Sequence, residues 1–424
     1  MRGDKGMSAT DLARKLGTGD AVVIGLGSMI GAGVFAAFGP AALAAGSGLL
    51  IGLAIAAVIA YCNATASAQL AAVYPTSGGT YIYGRERLGH WWGFTAGWGF
   101  VIGKTASCTA MALTFATYAV PDPWWVQRLV AVGAVMALTA LNYQGVTKTA
   151  GLARILVTIT LVSLAVVVLA ILLAGDPDLD NLDGVASLNS GGVYGVLQAA
   201  GLLFFAFAGY ARIATMGEEV HNPATTIPRA IPIALFLTVA IYAVIGITAL
   251  LAAGPDALAD ATAPLVTAMD VAGVGDIALV VRIGAVVASL GALLALIAGI
   301  GRTSLAMARN HDLPSWLAAV HPVHRVPHHA EIALAAVVSV LVLTVDLRGA
   351  IGFSSFGVLV YYSIANASAF TQTGEQRRWP RALNLLGVTG CVALIATLPV
   401  QSVIAGVMMF AIGLAGRYVV LRRR

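Results

Sequence analysis

"GLGSMIGAGVF", Gly25 to Phe35, lies inside the first long apolar stretch of the chain. Its four glycines in eleven residues each weaken an α-helix by about 1 kcal/mol relative to Ala. Membrane helices accept glycine where another backbone packs close. The stretch therefore reads either as a small-residue packing face or as an interruption that opens peptide groups. What surrounds it decides between the two.

The surroundings are apolar throughout. The 424 residues are 59% hydrophobic and 10% charged, with a mean hydropathy of +0.89, whereas soluble domains carry about 25% charge. Continuous apolar runs of spanning length, about 20 residues, fall at 21–45, 48–73, 91–119, 124–142, 150–174, 194–216, 230–253, 277–303, 330–345, 350–370, 383–399 and 400–420. The expected fold class is an all-α polytopic membrane protein with about twelve spans. A β-barrel is disfavoured because the runs do not alternate. Residues 1–20 are polar and lack the apolar core of a cleavable signal.

The net charge of +5 is explained by its distribution, not by nucleic-acid binding. With the N-terminus inside, the inner segments hold Arg14, Lys15, Arg85, Arg87, Lys148, Arg154, Arg229, Arg302, Arg309, Arg325, Arg377, Arg378, Arg381, Arg417 and the terminal arginines. The outer segments hold only Arg128 and Arg348, with Arg282 in the outer part of the eighth run, and the outer loops are acidic instead: "GDPDLDNLDG" (175–184) and "GPDALADATAP" (254–264). This bias follows the positive-inside rule and puts both termini in the cytoplasm of a multi-pass protein of the cytoplasmic membrane. Cys62, Cys108 and Cys391 lie in apolar segments without CxxC spacing, which suggests neither disulfides nor a metal centre. His321, His324, His328 and His329 fall in the longest polar insert, 309–331, with only Glu331 as a nearby carboxylate. That insert reads as a basic loop broken by Pro322 and Pro327, not as a metal site. No soluble partner domain is evident.

The sixth run supplies a counterpart to the opening stretch. "GLLFFAFAGYARIATMGEEVHNPATTIPRAI" (201–231) starts apolar, has Gly209 near its middle and then turns polar. The two weak points lie five spans apart, so the spans run in opposite directions. This is the signature of an inverted repeat whose interrupted helices meet near the bilayer midplane. A half-helix N-terminus offers N–H groups to an anion, and a half-helix C-terminus offers carbonyls to a cation. A zwitterion fits both. The expected organisation is a cytoplasmic segment over 1–20, five-helix units over 21–174 and 194–370, and two additional helices with a basic tail over 383–424.

Four landmarks in this order carry a family resemblance. "GLGSMIGAGVF" (25–35) is similar to a GxxIGxGIF first-span signature. "YPTSGGTYIYGRERLG" (74–89) is similar to YPxxGGxYxY between spans two and three. "FFAFAGYARIATMGEEVHNPATTIPRAI" (204–231) is similar to FFAFxGF…EExxNPxxxIPxAI. "GRTSLAMARNHDLPSWLAAVHPVHRVPHHA" (301–330) is similar to R…AMARDGxLP…P. The chain resembles the amino acid–polyamine–organocation superfamily of permeases, over about residues 20–370. The sixth-span segment is similar to that of bacterial permeases related to the cationic amino acid transporters.

The resemblance implies the leucine-transporter fold, a 5+5 inverted repeat plus two helices, and an amino acid substrate. It places the substrate carboxylate at the N–H groups of Gly31, Ala32 and Gly33. It places the ammonium at carbonyls near Ser28, Met29, Phe205 and Ala208. Phe205 and Phe207 become pocket walls and Phe205 a gate, with Ser289, Tyr361 and Ser363 as weaker candidates. Glu218 and Glu219 read either as an inner gate, with a basic-loop partner such as Arg85 or Arg87, or as a solvated helix end. Pro223 and Pro228 mark the entry into span seven.

Two ionisable residues lie at membrane depth, where each is a functional candidate by default: Lys104 in "WGFVIGKTASCTAMAL" (98–113), and Arg212 just past the sixth-span weak point. Lys104 could load and release a proton. Arg212 stays charged and reads as a fixed charge or an ion-pair member. The resemblance implies a coupling lysine in the fifth span, but "GVTKTAGLARILVTITLVSLAVV" (145–167) offers Thr160 there. Three routes stay open: Lys104 as substitute, sodium held by Thr160, Ser289 and first-span carbonyls, or exchange without an ion. No other cofactor is expected.

The spans show no carboxylate at the site, which favours small to medium neutral amino acids. Cationic amino acids or polyamines are the alternative. A channel would want a polar stripe and a sensor an output domain. An enzyme would want a metal motif or a catalytic dyad at membrane depth. None of these features is seen in the sequence.

Overall fold

The structure, a computed structural model, describes residues 16–75, 78–145, 150–182, 191–217 and 219–422. The described chain is helical: α1 Thr18–Met29, α2 Ala32–Ala36, α3 Phe38–Ala45, α4 Leu49–Val73, α5 Thr80–Leu88, α6 His90–Ala119, α7 Trp124–Tyr143, α8 Ala150–Ala174, α9 Gly192–Phe207, α10 Ala211–Ala214, α11 Pro223–Asp260, α12 Pro264–Val271, α13 Ala278–Arg309, α14 His328–Thr344, α15 Leu347–Phe370, α16 Arg381–Thr397 and α17 Val400–Arg422. Among the described residues, ten segments are long and apolar enough to cross a membrane. Two shorter apolar helices, His328–Thr344 and Arg381–Thr397, lie at the ninth and eleventh expected positions.

The boundaries follow local chemistry. Gly46 adopts φ +56°, which ends α3 before α4 begins. Pro223 and Pro264 open α11 and α12, where a missing N–H costs nothing. Pro228 sits inside α11, one turn later than its start. Asp346 caps α15 by accepting the Gly349 N–H at 2.9 Å. The helix expected from residue 230 begins at Pro223, and the one expected to end at 303 runs to Arg309. Polar residues at those ends hid the extra turns from an apolarity criterion.

At the centre, α6 packs against α13 and α15. The α6–α15 crossing depends on small residues: a Cβ on Gly103 would lie 3.2 Å from Gly357 Cα. Such a crossing trades side-chain volume for backbone contact. In contrast, α7 and α17 bury little of their apolar surface, leaving Leu129, Met136, Ile404 and Ile412 exposed. Exposed aliphatic helix faces on this scale suit lipid, not water.

The first and sixth expected spans are both interrupted. Between α1 and α2, Ile30 takes φ −79°, ψ 61°, and Gly31 donates back to Met29 O at 2.8 Å. This is an inverse γ-turn. Past it, α2 continues through helical Ala37 into α3. Between α9 and α10 the chain makes one 3₁₀ turn, Ala208–Tyr210, instead of an extended break. The segment after α10 is tied to the start of the described chain: Leu16 N–H donates to Glu219 O at 3.1 Å, and His221 N–H donates to Leu16 O at 2.9 Å.

Candidate functional site

The two interruptions touch. A Cβ on Gly33 would lie 2.6 Å from Ala206 Cα, and one on Gly209 would overlap the Ser28 carbonyl. Both glycines are required because two backbones pass within side-chain distance. Gly25 similarly faces Ile213, and Gly31 faces Ala292 at 2.9 Å. The glycine-rich stretch is thus a packing face and an interruption at once.

A cavity of about 110 Å³ opens beside this crossing. One water needs about 10–15 Å³ on this measure, so the space suits a small organic molecule. Both interrupted segments line it, through Ser28, Met29 and Gly33 and through Phe205, Ala208 and Gly209. Phe100, Lys104, Ser107 and Met111 contribute from α6, and Ala292 to Thr303 from α13. Thr215, Arg302 and Thr303 place its mouth at the end of the molecule where α1 begins and α13 ends. Toward the opposite end, α2, α12 and α13 are tied to Tyr118 of α6. The Tyr118 hydroxyl donates to Phe35 O at 2.8 Å, Leu265 N–H donates to that hydroxyl, and Arg282 bonds Tyr118 O at 3.2 Å.

The structure brings together Ser28, Met29, Gly33, Phe205, Ala208 and Lys104 from the sequence candidates. Gly31 and Ala32 sit at the interruption but off the cavity wall. Phe207 packs its ring against Tyr242, with centroids 5.1 Å apart. Ser289 is fully buried on α13 with its hydroxyl unpartnered. Thr160 is buried on α8 and donates to Leu156 O at 2.8 Å. Neither Ser289 nor Thr160 lines the cavity. Glu218 lies outside the described residues.

Hydrogen bonding distinguishes the candidate carbonyls. The Tyr242 hydroxyl lies 2.6 Å from Met29 O and 3.1 Å from Ala206 O, so one proton bridges both interrupted spans. Met29 O also accepts from Gly31 N–H. Ala208 O receives the Lys104 ammonium and the Tyr362 hydroxyl, each at 3.3 Å. The N–H groups of Ala32, Gly33 and Val34 begin a helix, where no intrahelical acceptor exists. Sequence reasoning missed Tyr242 and Tyr362. A buried tyrosine in an apolar span needs a partner for its hydroxyl, and that was the available signal.

At the mouth, Glu219 lies 3.1 Å from the Arg212 guanidinium and 3.8 Å from that of Arg302. The partners anticipated from sequence are engaged elsewhere: Arg85 reaches Tyr81, and Arg87 bonds Thr371. Three cationic side chains, Lys104, Arg212 and Arg302, line the cavity, and among the described residues no carboxylate does.

Interrupted helices that meet around a central cavity are a recurrent architecture of membrane transporters. The chain belongs to the amino acid permease family, within the amino acid–polyamine–organocation superfamily, and matches that family over residues 16–416. It is 59% identical over 416 residues to an uncharacterised transporter of Mycobacterium tuberculosis, covering 97% of this chain and 93% of that one. It is 27% identical over 400 residues to the branched-chain amino acid permease BcaP of Bacillus subtilis, covering 89% and 84%. It is 28% identical over 423 residues to cationic amino acid transporter 7, chloroplastic, of Arabidopsis thaliana, covering 93% and 72%. Family and relatives support amino acid transport by a multi-pass membrane protein.

Proposed function

We propose that the protein carries neutral amino acids of small to medium size across the cytoplasmic membrane by alternating access, coupled to a proton. The observation that carries this reading is the cavity beside both interruptions, lined by Lys104, Arg212 and Arg302 and by no carboxylate among the described residues. A cationic side chain would meet like charges on this lining and no carboxylate among its described residues. The substrate carboxylate goes to the start of α2, where Gly33 lines the cavity, and its ammonium to the carbonyl end of α9. The name of the B. subtilis relative agrees with a neutral substrate. Those of the plant transporters favour the cationic alternative.

Alternating access is supported by the helix pairings. α1 meets α11 and α9 meets α4; α6 meets α15 and α13 meets α8; α6 meets α7 and α13 meets α14. Each pairing maps onto its mate when the first five spans exchange with the next five, as two inverted units require. The mouth faces the end that charge distribution assigns to the cytoplasm, with Glu219 as the gating residue between Arg212 and Arg302.

The test is uptake into proteoliposomes of labelled leucine, alanine, serine, glutamate, arginine and putrescine under imposed pH or sodium gradients. Saturable uptake of neutral amino acids driven by a pH gradient is expected. Preference for arginine or putrescine would favour the alternative. Uptake of none would overturn amino acid transport, and sodium drive would return the coupling role to the Thr160 and Ser289 region.

A further inference from the structure

We infer that the Lys104 ammonium and the substrate ammonium occupy one site in turn, so that the protein exchanges amino acid against proton instead of carrying both in one direction. This rests on the amino acid reading above and specifies how its coupling works.

The site is the Ala208 carbonyl. It lies at the C-terminal end of the sixteen-residue helix α9, where the last carbonyls have no intrahelical donor and the helix dipole favours a cation. A carbonyl oxygen has two lone pairs. In this structure both are used, one by Lys104 Nζ and one by the Tyr362 hydroxyl, each at 3.3 Å. The neighbouring carbonyls are also engaged: Met29 O accepts from Tyr242 and Gly31, Ala206 O faces the Tyr242 hydroxyl, and Phe205 O accepts the Ala208 N–H. Ala208 O is the one that already holds an ammonium, and a substrate ammonium that binds there takes the place of Lys104.

Lys104 cannot stay charged beside it. The side chain is 6% exposed, and two ammonium groups at one carbonyl repel in a poorly solvated space. The groups around it give no relief. Cys108 lies one turn on along α6, Tyr362 faces it from α15, and Arg212 and Arg302 line the same cavity from α10 and α13. The carboxylates beside the cavity are engaged with its arginines: Glu219 lies between Arg212 and Arg302, and Glu331 of α14 also faces Arg302. Substrate entry thus sends one proton from Lys104 Nζ to water through the mouth lined by Thr215 and Thr303. The loaded carrier crosses with Lys104 neutral, and the empty carrier returns with it protonated. One amino acid moves one way and one proton the other.

The experiment uses the full-length protein in proteoliposomes and in detergent, with L-leucine as the probe. Leucine counterflow without any gradient establishes transport. Its absence across the whole amino acid panel overturns the amino acid reading and this one with it. Given counterflow, an interior-acid gradient should drive leucine uptake, to a limit of about tenfold accumulation per pH unit. An exterior-acid gradient should suppress it. Acceleration by an exterior-acid gradient means co-transport and overturns the inference. Calorimetry in buffers of differing ionisation enthalpy should show about one proton released per leucine bound by wild type and none by Lys104→Met. No release by wild type, or undiminished release by Lys104→Met, overturns it. Lys104→Arg keeps a charge that cannot be discharged and should lose leucine binding. Wild-type affinity in that variant also overturns the inference. The wild-type gradient direction decides the matter even if neither variant folds.

Discussion

At the residue scale, single atoms decide whether a glycine can be replaced. A methyl group on Gly209 overlaps the Ser28 carbonyl, which adjoins the Met29 carbonyl held by Tyr242. Gly209→Ala should cost about 1–3 kcal/mol and lower the melting temperature in detergent, with loss of transport. Gly299 lines the same cavity, yet a Cβ there meets nothing within 4 Å. Gly299→Ala should melt within about 0.5 kcal/mol of wild type while weakening uptake of the larger substrates. Equal melting of the two variants would contradict this account of the crossing. Tyr242→Phe removes the hydroxyl shared by Met29 and Ala206. About 1 kcal/mol of stability should go with it, together with affinity, read by leucine binding. Unchanged affinity would mean that the two interruptions hold their geometry without the bridge.

At the scale of elements, α10 and α13 are joined across the mouth by Glu219. The carboxylate is positioned by backbone, since its own C=O accepts from Leu16 and its neighbour Val220 forms the adjoining bridge. Glu219→Gln removes the charge that holds two arginines together. A cysteine at Thr303 should then react several-fold faster with a membrane-impermeant thiol reagent than it does beside Glu219. An equal rate would show that the pair does not close the mouth. The Arg212–Glu219 contact was not legible in the sequence. The two residues are seven apart, but non-helical backbone at Thr215–Gly217 lies between them, so helical spacing gave no guide. The histidine-rich insert settles in a similar way. His321, His324 and His328 pack their rings around Tyr143, a contact that spacing along the chain did not indicate.

At the scale of the whole molecule, the last helix is anchored far from the cavity. Arg417 of α17 pairs with Asp312 at 2.7 Å, and each side chain is 7% exposed. Its guanidinium also covers the ring faces of Trp91 and Phe94. Tyr81 on α5 donates to the other oxygen of Asp312 at 2.8 Å. Burial first, and then the Asp312 carboxylate, push the Tyr81 hydroxyl up to about 12, so it remains a donor through the physiological range. Arg417→Met alone leaves a buried carboxylate without its cation and should cost about 3–5 kcal/mol. Arg417→Met with Asp312→Asn should recover much of that loss in thermal melting. Additive losses would show that the pair is not a unit.

The sequence by itself determined the membrane class, the positions of the apolar helices to within seven residues at either end, and the two weak points five spans apart. These are properties of local composition: twenty apolar residues cannot remain in water, and glycine weakens a helix wherever it stands. It also singled out Lys104 by its depth. Only the tertiary structure decided what Lys104 touches, which carbonyls are already occupied, and that Arg302 and not Arg85 or Arg87 faces Glu219. Those facts join residues far apart in the chain, such as Lys104 with Ala208 and Tyr242 with Met29. A hydrogen-bond partner is chosen by distance in space, and periodicity along the chain carries no record of it.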